Sequence, residues 1–465
     1  MKIKNFPPDH ANFGRLAINT KPSSNFLWFR RIEGLALFAF AAGTCFLFEY
    51  GQQRMLGIFL IGAVLFANGL RLGRFLRSLT PVPPELWLYS AWVGWAGVTG
   101  FVVAADLGKL WAGYRVLIQV FVMVWAAYAI LRNLRGADVV FLALLAGVLI
   151  QVGAVVSGAG TSNNFMNSRQ EVLGTTKNQN DLAFLMVWGA ICALVFWYGK
   201  RWRGKSYRKL LILGIVFVAM IILLASGSRK STIAFGLVVL VWAVFVRGTA
   251  RGVRKIFSQI AVGFVALFVI VGFGSHLVEG TRVGLRFKQF ADKGGGDIGE
   301  AARSNIRYDM YVDGLRIFSE HPIFGVGLNN FGEHFYTGQY SHSDYIEPLA
   351  TTGLVGFALY QSFYFLLITR IIRLLRVVRD RKTRYRLKVY LIGIMAIMVI
   401  GLGAPHYTSQ PVFLLLIAFS VSTWTLQRQL TQRFAFDSQW AWAMRQKGAQ
   451  PYGSAGRLMS VRRWI

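Results

Sequence analysis

Three residues carry side chains suited to phosphate binding and proton transfer: Arg229, Arg307 and His342. A guanidinium group binds phosphate oxygens through two parallel hydrogen bonds. A histidine of near-neutral pKa can accept a proton from an attacking hydroxyl. Each of the three lies in a polar stretch next to a long apolar run. Their types point to chemistry on an anionic substrate, if the fold brings the three stretches to one place.

The sequence leaves a structural explanation open for each arginine. Arg229 lies at the end of an apolar run, where an arginine can simply extend to the lipid headgroups. Arg303 and Arg307 are four residues apart, and the apolar spacing over residues 304–319 predicts a helix that places both on one face. Such a helix can also lie on the membrane with its arginines in solvent.

His342 is the first choice among the six histidines because Asp344, two residues later, can orient it or favour its charged form. A single histidine at a membrane boundary also occurs without any function. His406 is the second choice. Between the predicted helix and His342, Pro322 marks a helix end, and Gly325 and Gly327 predict a turn or a close backbone approach.

The apolar runs that separate these stretches predict a membrane protein. Of the 465 residues 55% are hydrophobic, and the mean hydropathy is +0.46, more apolar than a soluble domain of this length. Twelve runs approach the roughly 20 residues of a membrane-spanning helix. They centre on residues 34–50, 55–70, 85–104, 116–131, 139–157, 182–199, 210–225, 232–246, 256–274, 346–369, 389–404 and 412–426.

The predicted fold is an all-α integral membrane protein with spans one to nine in residues 34–274 and spans ten to twelve in residues 346–426. The polar loop between them, residues 275–345, is predicted to contain short helices and to be the catalytic loop. Residues 1–33 and 427–465 form the terminal segments.

The distribution of charge predicts the orientation. The net charge is +31, and most lysines and arginines lie in the two terminal segments and in every second connection. The positive-inside rule then places both termini in the cytoplasm and the loop at residues 275–345 outside, together with residues 158–181 and 226–231. The same distribution argues against a nucleic-acid partner. The basic connections either set topology only or also bind anionic lipid headgroups.

Motifs for a bound nucleotide or metal are absent from the sequence. It contains no Walker-type glycine-rich loop, no metal-ligand spacing and no Asp-x-Asp pair of the kind that holds a divalent ion beside a sugar nucleotide. We therefore expect a reaction without cofactor, ATP or metal.

Taken together and in order, these stretches resemble the O-antigen ligase and polysaccharide polymerase superfamily. Asn178 and Asn180, before the sixth span, also fit the pattern. The matching pieces are residues 226–229 (SGSR), 307–311 (RYDMY), 321–331 (HPIFGVGLNNF), 341–345 (SHSDY) and 349–356 (LATTGLVG).

The resemblance implies a glycosyltransferase of the bacterial inner membrane, of the largely helical class that uses lipid-phosphate sugars. Its donor would be a glycan on undecaprenyl diphosphate, and its acceptor either lipid A-core, in a ligase, or another lipid-linked repeat unit, in a polymerase. Carried onto this chain, Arg229 and Arg307 would hold the diphosphate and His342 would assist the acceptor hydroxyl. Substrate binding would extend to Lys230, Arg303, Asn178, Asn180, Asp344 and Tyr345.

With no evident pair of catalytic carboxylates, an enzyme here is expected to act by direct displacement with inversion.

Two further interpretations come from other functional classes. A transporter or flippase of lipid-linked sugars would need ionisable groups inside its spans and often shows repeat symmetry; the predicted spans have almost no internal charge and no repeat. A receptor or structural protein would leave the polar groups on one face unexplained.

Overall fold

The computed structural model describes residues 24–46, 57, 81–134, 137–158, 161–164, 169–172, 179–197, 206–226, 228–243, 306–336 and 338–446. Apart from Gly57, the second and ninth predicted spans, at 55–70 and 256–274, lie outside these ranges.

Within the described ranges the chain is helical, as predicted, apart from one small ribbon. The helices are α1 (Ser24–Phe46), α2 (Pro84–Val103), α3 (Leu107–Leu134), α4 (Asp138–Val156), α5 (Gln179–Val195), α6 (Ser206–Ser226), α7 (Arg229–Val241), α8 (Ile306–Glu320), α9 (Ile346–Val377), α10 (Arg381–Gly401) and α11 (Gln410–Gln446). The ribbon pairs β1 (Thr161–Asn164) antiparallel with β2 (Arg169–Val172), in a connection where no strand was expected.

Six of these helices are long and apolar enough to cross a membrane: α2, α3, α4, α6, α9 and α11. Two shorter apolar helices, α5 and α7, coincide with predicted spans. The protein is therefore a multi-pass membrane protein, and the full number of twelve spans stays a prediction.

Several helices are longer than the apolar runs that predicted them. Helix α3 begins at Leu107, nine residues before the predicted span, and α11 continues to Gln446 through a stretch assigned to the terminal segment. Residues 427–446 contain neither glycine nor proline, so nothing in their sequence ends the helix where the apolar run ends.

Small residues let neighbouring helices approach closely. A Cβ at Gly147 of α4 would lie 2.6 Å from the carbonyl oxygen of Ala42 in α1, and one at Gly97 of α2 would lie 2.3 Å from the Tyr114 hydroxyl of α3. Backbones pack this closely in membrane proteins only at glycine-sized positions. The result is a fixed bundle whose helix ends carry the polar groups.

Helix α8 packs on the start of α9 and matches the predicted helix in position. Its buried stripe consists of Met310, Gly314 and Ile317. A Cβ at Gly314 would meet Ile346 Cγ2 at 2.2 Å, so α8 rests directly on α9. Leu315 is 52% exposed, although the apolar spacing over residues 304–319 counts it among the residues of the apolar face.

The run after α8 interlocks with α9 through backbone contacts. The amides of Val326 and Gly327 donate to the carbonyls of Ala350 and Thr351 at 3.0 and 2.9 Å. Gly325 and Gly327 have φ of 68° and 92°, a left-handed backbone that favours glycine. Both glycines therefore have the turn geometry predicted for them.

Helix α9 is broken where this run crosses it. Gly353 has φ 67° and ψ −173° inside the helix, and the Leu354 amide donates to Pro322 O at 2.8 Å. A Cβ at Gly353 would lie 2.1 Å from Ile323 O. The break separates a short helical segment, beginning at Ile346, from the apolar part of the helix.

Candidate functional site

Residues 401–406, the end of α10 and the start of its connection to α11, are the point at which three separate elements meet. We call it the platform. The Asp344 amide donates to Gly401 O at 2.7 Å. The Tyr311 hydroxyl of α8 donates to Leu402 O, and Lys230 Nζ of α7 donates to Gly403 O. Helix α7, helix α8 and the loop before α9 are therefore held at one end of the bundle.

Two cationic side chains converge at Gly403. A Cβ there would lie 3.7 Å from Arg307 Nη1 and 3.7 Å from Lys230 Nζ. Lys230 also lies over the Phe184 ring, 5.0 Å from its centroid, a cation–π contact. Glycine at 403 leaves room for both cations. Two like charges held together at a half-buried position form a site for an anion.

His342 lies beside these cations as a neutral imidazole. It is half-buried, has φ 55°, and packs on Tyr340 with ring centroids 4.1 Å apart. Burial, followed by the charges of Arg307 and Lys230, lowers the pKa of His342 to about 4. At neutral pH the imidazole is therefore unprotonated and can accept a hydrogen bond or a proton.

Asp344 fixes the loop that carries His342. Its Oδ1 accepts the His406 amide at 2.7 Å and its Oδ2 accepts the Tyr360 hydroxyl at 2.7 Å. Burial raises the pKa of this carboxyl to about 7, although the hydrogen bonds to it oppose the rise. The amide of Ser341, the residue before His342, donates to Glu347 Oε2 at 2.6 Å.

His406, the second candidate histidine, is buried in the platform. Its ring meets the edges of Phe184 and Trp188, with centroids 6.1 and 6.3 Å away. Burial lowers its pKa to about 3. Within the described residues Nε2 has no hydrogen-bond partner. The side chain therefore packs as a neutral ring, while its amide holds Asp344.

The other predicted site residues are placed as follows. The Tyr345 hydroxyl donates to Met398 O of α10 at 2.9 Å, which turns it toward the helix. Asn180 lies in the first turn of α5, next to Asp181, whose charge acts on Lys230. Arg229 is the first residue of α7, but its side chain is outside the described part. Arg303 and Asn178 lie outside the described residues.

The sequence did not identify the platform as a binding element. Its contribution comes from the backbone carbonyls of Gly401, Leu402 and Gly403, which no side-chain motif marks. The available signal was the cluster Gly-Leu-Gly-Ala-Pro between two apolar runs, which predicts a turn. Nothing in the sequence paired Asp344 with Tyr360. Among the residues described, no group of three or more His, Cys, Asp or Glu is placed to hold a metal ion.

Fold and site define a multi-pass helical membrane protein with two cations and a neutral histidine at the ends of its helices. The family model described as O-Antigen ligase matches residues 214–361. The chain therefore carries an O-antigen ligase domain over these residues, which confirms the resemblance seen in the motifs. Proteins of this family are ligases or polymerases that transfer lipid-linked glycans. No curated protein matches the chain.

The matched region contains Lys230, Arg307, His342 and Asp344. The platform, at residues 401–406, lies beyond it, as does Phe184. The candidate site is thus built from the family domain together with helices on either side of it.

Proposed function

We propose that this protein transfers a glycan from undecaprenyl diphosphate to an acceptor sugar hydroxyl at the periplasmic face of the bacterial inner membrane. The acceptor in an O-antigen ligase-like reaction is lipid A-core. The observation that carries the proposal is the convergence of Lys230 and Arg307 at Gly403, beside the neutral His342. The family match supports the same class of reaction.

Arg307 and Lys230 hold the diphosphate of the donor, and Arg229, at the start of the same helix as Lys230, shares this role. As the bond from the anomeric carbon to the diphosphate oxygen breaks, its electron pair passes to the diphosphate. The developing negative charge is stabilised by cations already in position at a low-dielectric boundary. Arg303, Asn178 and Asn180 lie in segments assigned to the same face and complete the binding surface.

His342 accepts the proton of the acceptor hydroxyl as the oxygen attacks the anomeric carbon from the opposite side. The product is then inverted, and a nucleophilic carboxylate is not required. Burial, and then the charges of Arg307 and Lys230, make His342 a weak base while the site holds no anion. A bound diphosphate offsets their charge, so His342 becomes more basic when the donor is present.

Asp344 and Tyr345 act indirectly, by holding in place the loop that carries His342. Asp344 is buried and holds the loop against the platform, which favours positioning of His342 over direct contact with the glycan. The Tyr345 hydroxyl likewise holds the loop against α10, through its hydrogen bond to Met398 O.

The polymerase reaction is the alternative, with a second lipid-linked repeat unit as acceptor. The same cations and histidine serve both reactions, because the donor and the bond that breaks are the same. A flippase is the alternative of another class.

A reconstituted reaction distinguishes these functions. The full chain in nanodiscs receives an undecaprenyl-diphosphate glycan, with and without lipid A-core, and products are read by gel and mass spectrometry. Product that requires lipid A-core supports the ligase. Elongated lipid-linked glycan without lipid A-core supports the polymerase. Folded protein that forms neither product contradicts both, and movement of the glycan across the bilayer is then the activity to measure.

A further inference from the structure

A cavity lies at the opposite end of the bundle from the candidate site. It has a volume of about 410 Å³ and lies between the end of α3 and the middle of α11. Helix α11 begins at Gln410, next to the platform, and reaches Arg428 in 18 residues, or about 27 Å at 1.5 Å per residue. No group of the candidate site lines this cavity.

The cavity is cationic. Arg132, in the last turn of α3, and Arg428 of α11 both line it, and none of its lining residues in the described chain is acidic. The nearby carboxylate of Glu85 is already engaged by both guanidinium nitrogens of Arg370 and by the Ser420 hydroxyl at 2.6 Å. Glu85 is therefore not available to neutralise the two arginines of the cavity.

One donor in the cavity is buried without an acceptor. Arg132 Nη1 is inaccessible to solvent and makes no hydrogen bond to any residue that the structure describes. Tyr128, one turn earlier on α3, hydrogen-bonds with the Arg132 side chain and so orients it. A buried guanidinium N–H without an acceptor is costly, and the charge of Arg132 is likewise not balanced by any acidic residue among those described around the cavity.

The walls of the cavity are fixed by one shared acceptor. The carbonyl oxygen of Pro81 accepts the Tyr128 hydroxyl at 2.9 Å and the Trp424 indole N–H at 3.1 Å. Trp424 in turn lies under Arg370, whose guanidinium carbon is 4.9 Å from the ring centroid. The aromatic walls are therefore in place before any ligand binds, which limits the entropy that binding must lose.

We propose that this cavity binds a phosphate group, with Arg132 and Arg428 as its ligands and Tyr128 and Trp424 as its walls. The two arginines supply charge-assisted hydrogen bonds to phosphate oxygens. Gln429, also at the rim, offers further donors to a hydroxylated headgroup. The volume lies in the range of small-ligand sites and holds the phosphodiester headgroup of an anionic phospholipid as well as a free phosphate.

The test compares binding by three variants of the full chain in neutral detergent. R132Q and R428Q each remove one cation from the cavity. R379Q is the matched control, because Arg379 is exposed in the connection between α9 and α10 and does not line the cavity. Ligands are short-chain phosphatidylglycerol, short-chain phosphatidylcholine and inorganic phosphate. Binding is measured as the shift in thermal unfolding and as retained lipid in native mass spectrometry.

We expect saturable binding of phosphatidylglycerol to the unchanged chain and to R379Q, and binding weaker by about tenfold in R132Q and R428Q, the equivalent of one charge-assisted hydrogen bond. Inorganic phosphate that competes shows that the phosphate group alone is recognised; lipid binding without such competition shows that the whole headgroup is required. Equal binding of phosphatidylcholine, or equal binding by R428Q and R379Q, overturns the proposal. Arg428 is exposed, so R428Q keeps the test valid if R132Q does not fold.

Discussion

The backbone amide of His406 donates a 2.7 Å hydrogen bond to the carboxylate of Asp344. This bond joins the loop that carries His342 to the platform at residues 401–406, which is also contacted by Lys230 and Tyr311. The Tyr360 hydroxyl of α9 occupies the second carboxylate oxygen. A single buried side chain thus sets the distance between the histidine and the two cations.

The first prediction concerns Asp344 as a positioning residue. D344A leaves the His406 amide and the Tyr360 hydroxyl without their acceptor, and we expect a loss of about 1–3 kcal/mol in the free energy of unfolding. D344N retains an acceptor for the His406 amide and should lose less. Thermal unfolding in nanodiscs measures both. Equal losses in the two variants would show that the carboxylate's hydrogen bonds do not hold the loop.

The second prediction compares Arg307, a cation of the candidate site, with Arg316, an arginine of the same helix outside the site. R307Q should lower the rate of glycan transfer by about 10²-fold or more, as expected when a preorganised group facing the developing charge is removed. R316Q, on the same helix, is the control, because Arg316 is paired with Asp313 and Glu320 on an exposed face. Its rate should stay within about twofold of the unchanged protein. Similar losses in both variants would remove Arg307 from the diphosphate site.

The third prediction is a dependence on pH. The histidine acts as a base only when neutral, so activity falls as the pH drops through its pKa. With the pKa of His342 lowered to about 4, the kcat/KM for donor, which reports the free enzyme, should stay level through pH 6.5 and fall only nearer pH 4. The acid limb of kcat should lie at higher pH, because the bound diphosphate raises the pKa.

A variant of Lys230 tests the contribution of neighbouring charge to that low pKa, which burial lowers most. K230Q removes a positive charge that disfavours the imidazolium, so the acid limb of kcat/KM should move to higher pH. The profile is repeated with D344N, since the pKa of Asp344 is raised to about 7 and this carboxyl also titrates in the range. A limb near pH 6.5 in the unchanged protein, or one that K230Q leaves in place, would contradict the assignment. H334N is the control for a general effect of losing a histidine.

The fourth prediction concerns the crossing of the glycine-containing run over α9. G353A places a Cβ 2.1 Å from Ile323 O on a backbone with φ 67°, so it should lower the thermal unfolding temperature and transfer activity together. G94A is the control, since no atom lies within 4 Å of a Cβ at Gly94 in α2. An alanine there should be neutral or slightly stabilising. If G353A behaved like G94A, the close backbone crossing would be wrong.

The amino-acid sequence by itself determined the class of the protein and most of its helices. The apolar runs are long enough to span a membrane, and that property depends only on local composition. The spacing in residues 304–319 predicted α8, and Gly325 and Gly327 predicted the turns that the backbone adopts. The ordered motifs predicted the family whose model matches residues 214–361. Local composition did not set the ends of α3 and α11, because helices continue past the lipid until a residue interrupts them.

The site is different because its members come together only by tertiary packing. Lys230, Arg307 and His342 lie far apart in the chain, and the platform that joins them contributes backbone carbonyls, which are chemically alike at every position. In the sequence, Asp344 is a polar residue two positions after His342. Only the structure buries it between the His406 amide and the Tyr360 hydroxyl. Charge and motif can be read from the order of residues. Distance, burial and the resulting pKa of His342 are decided by how the helices pack, because the field at a side chain depends on every group around it.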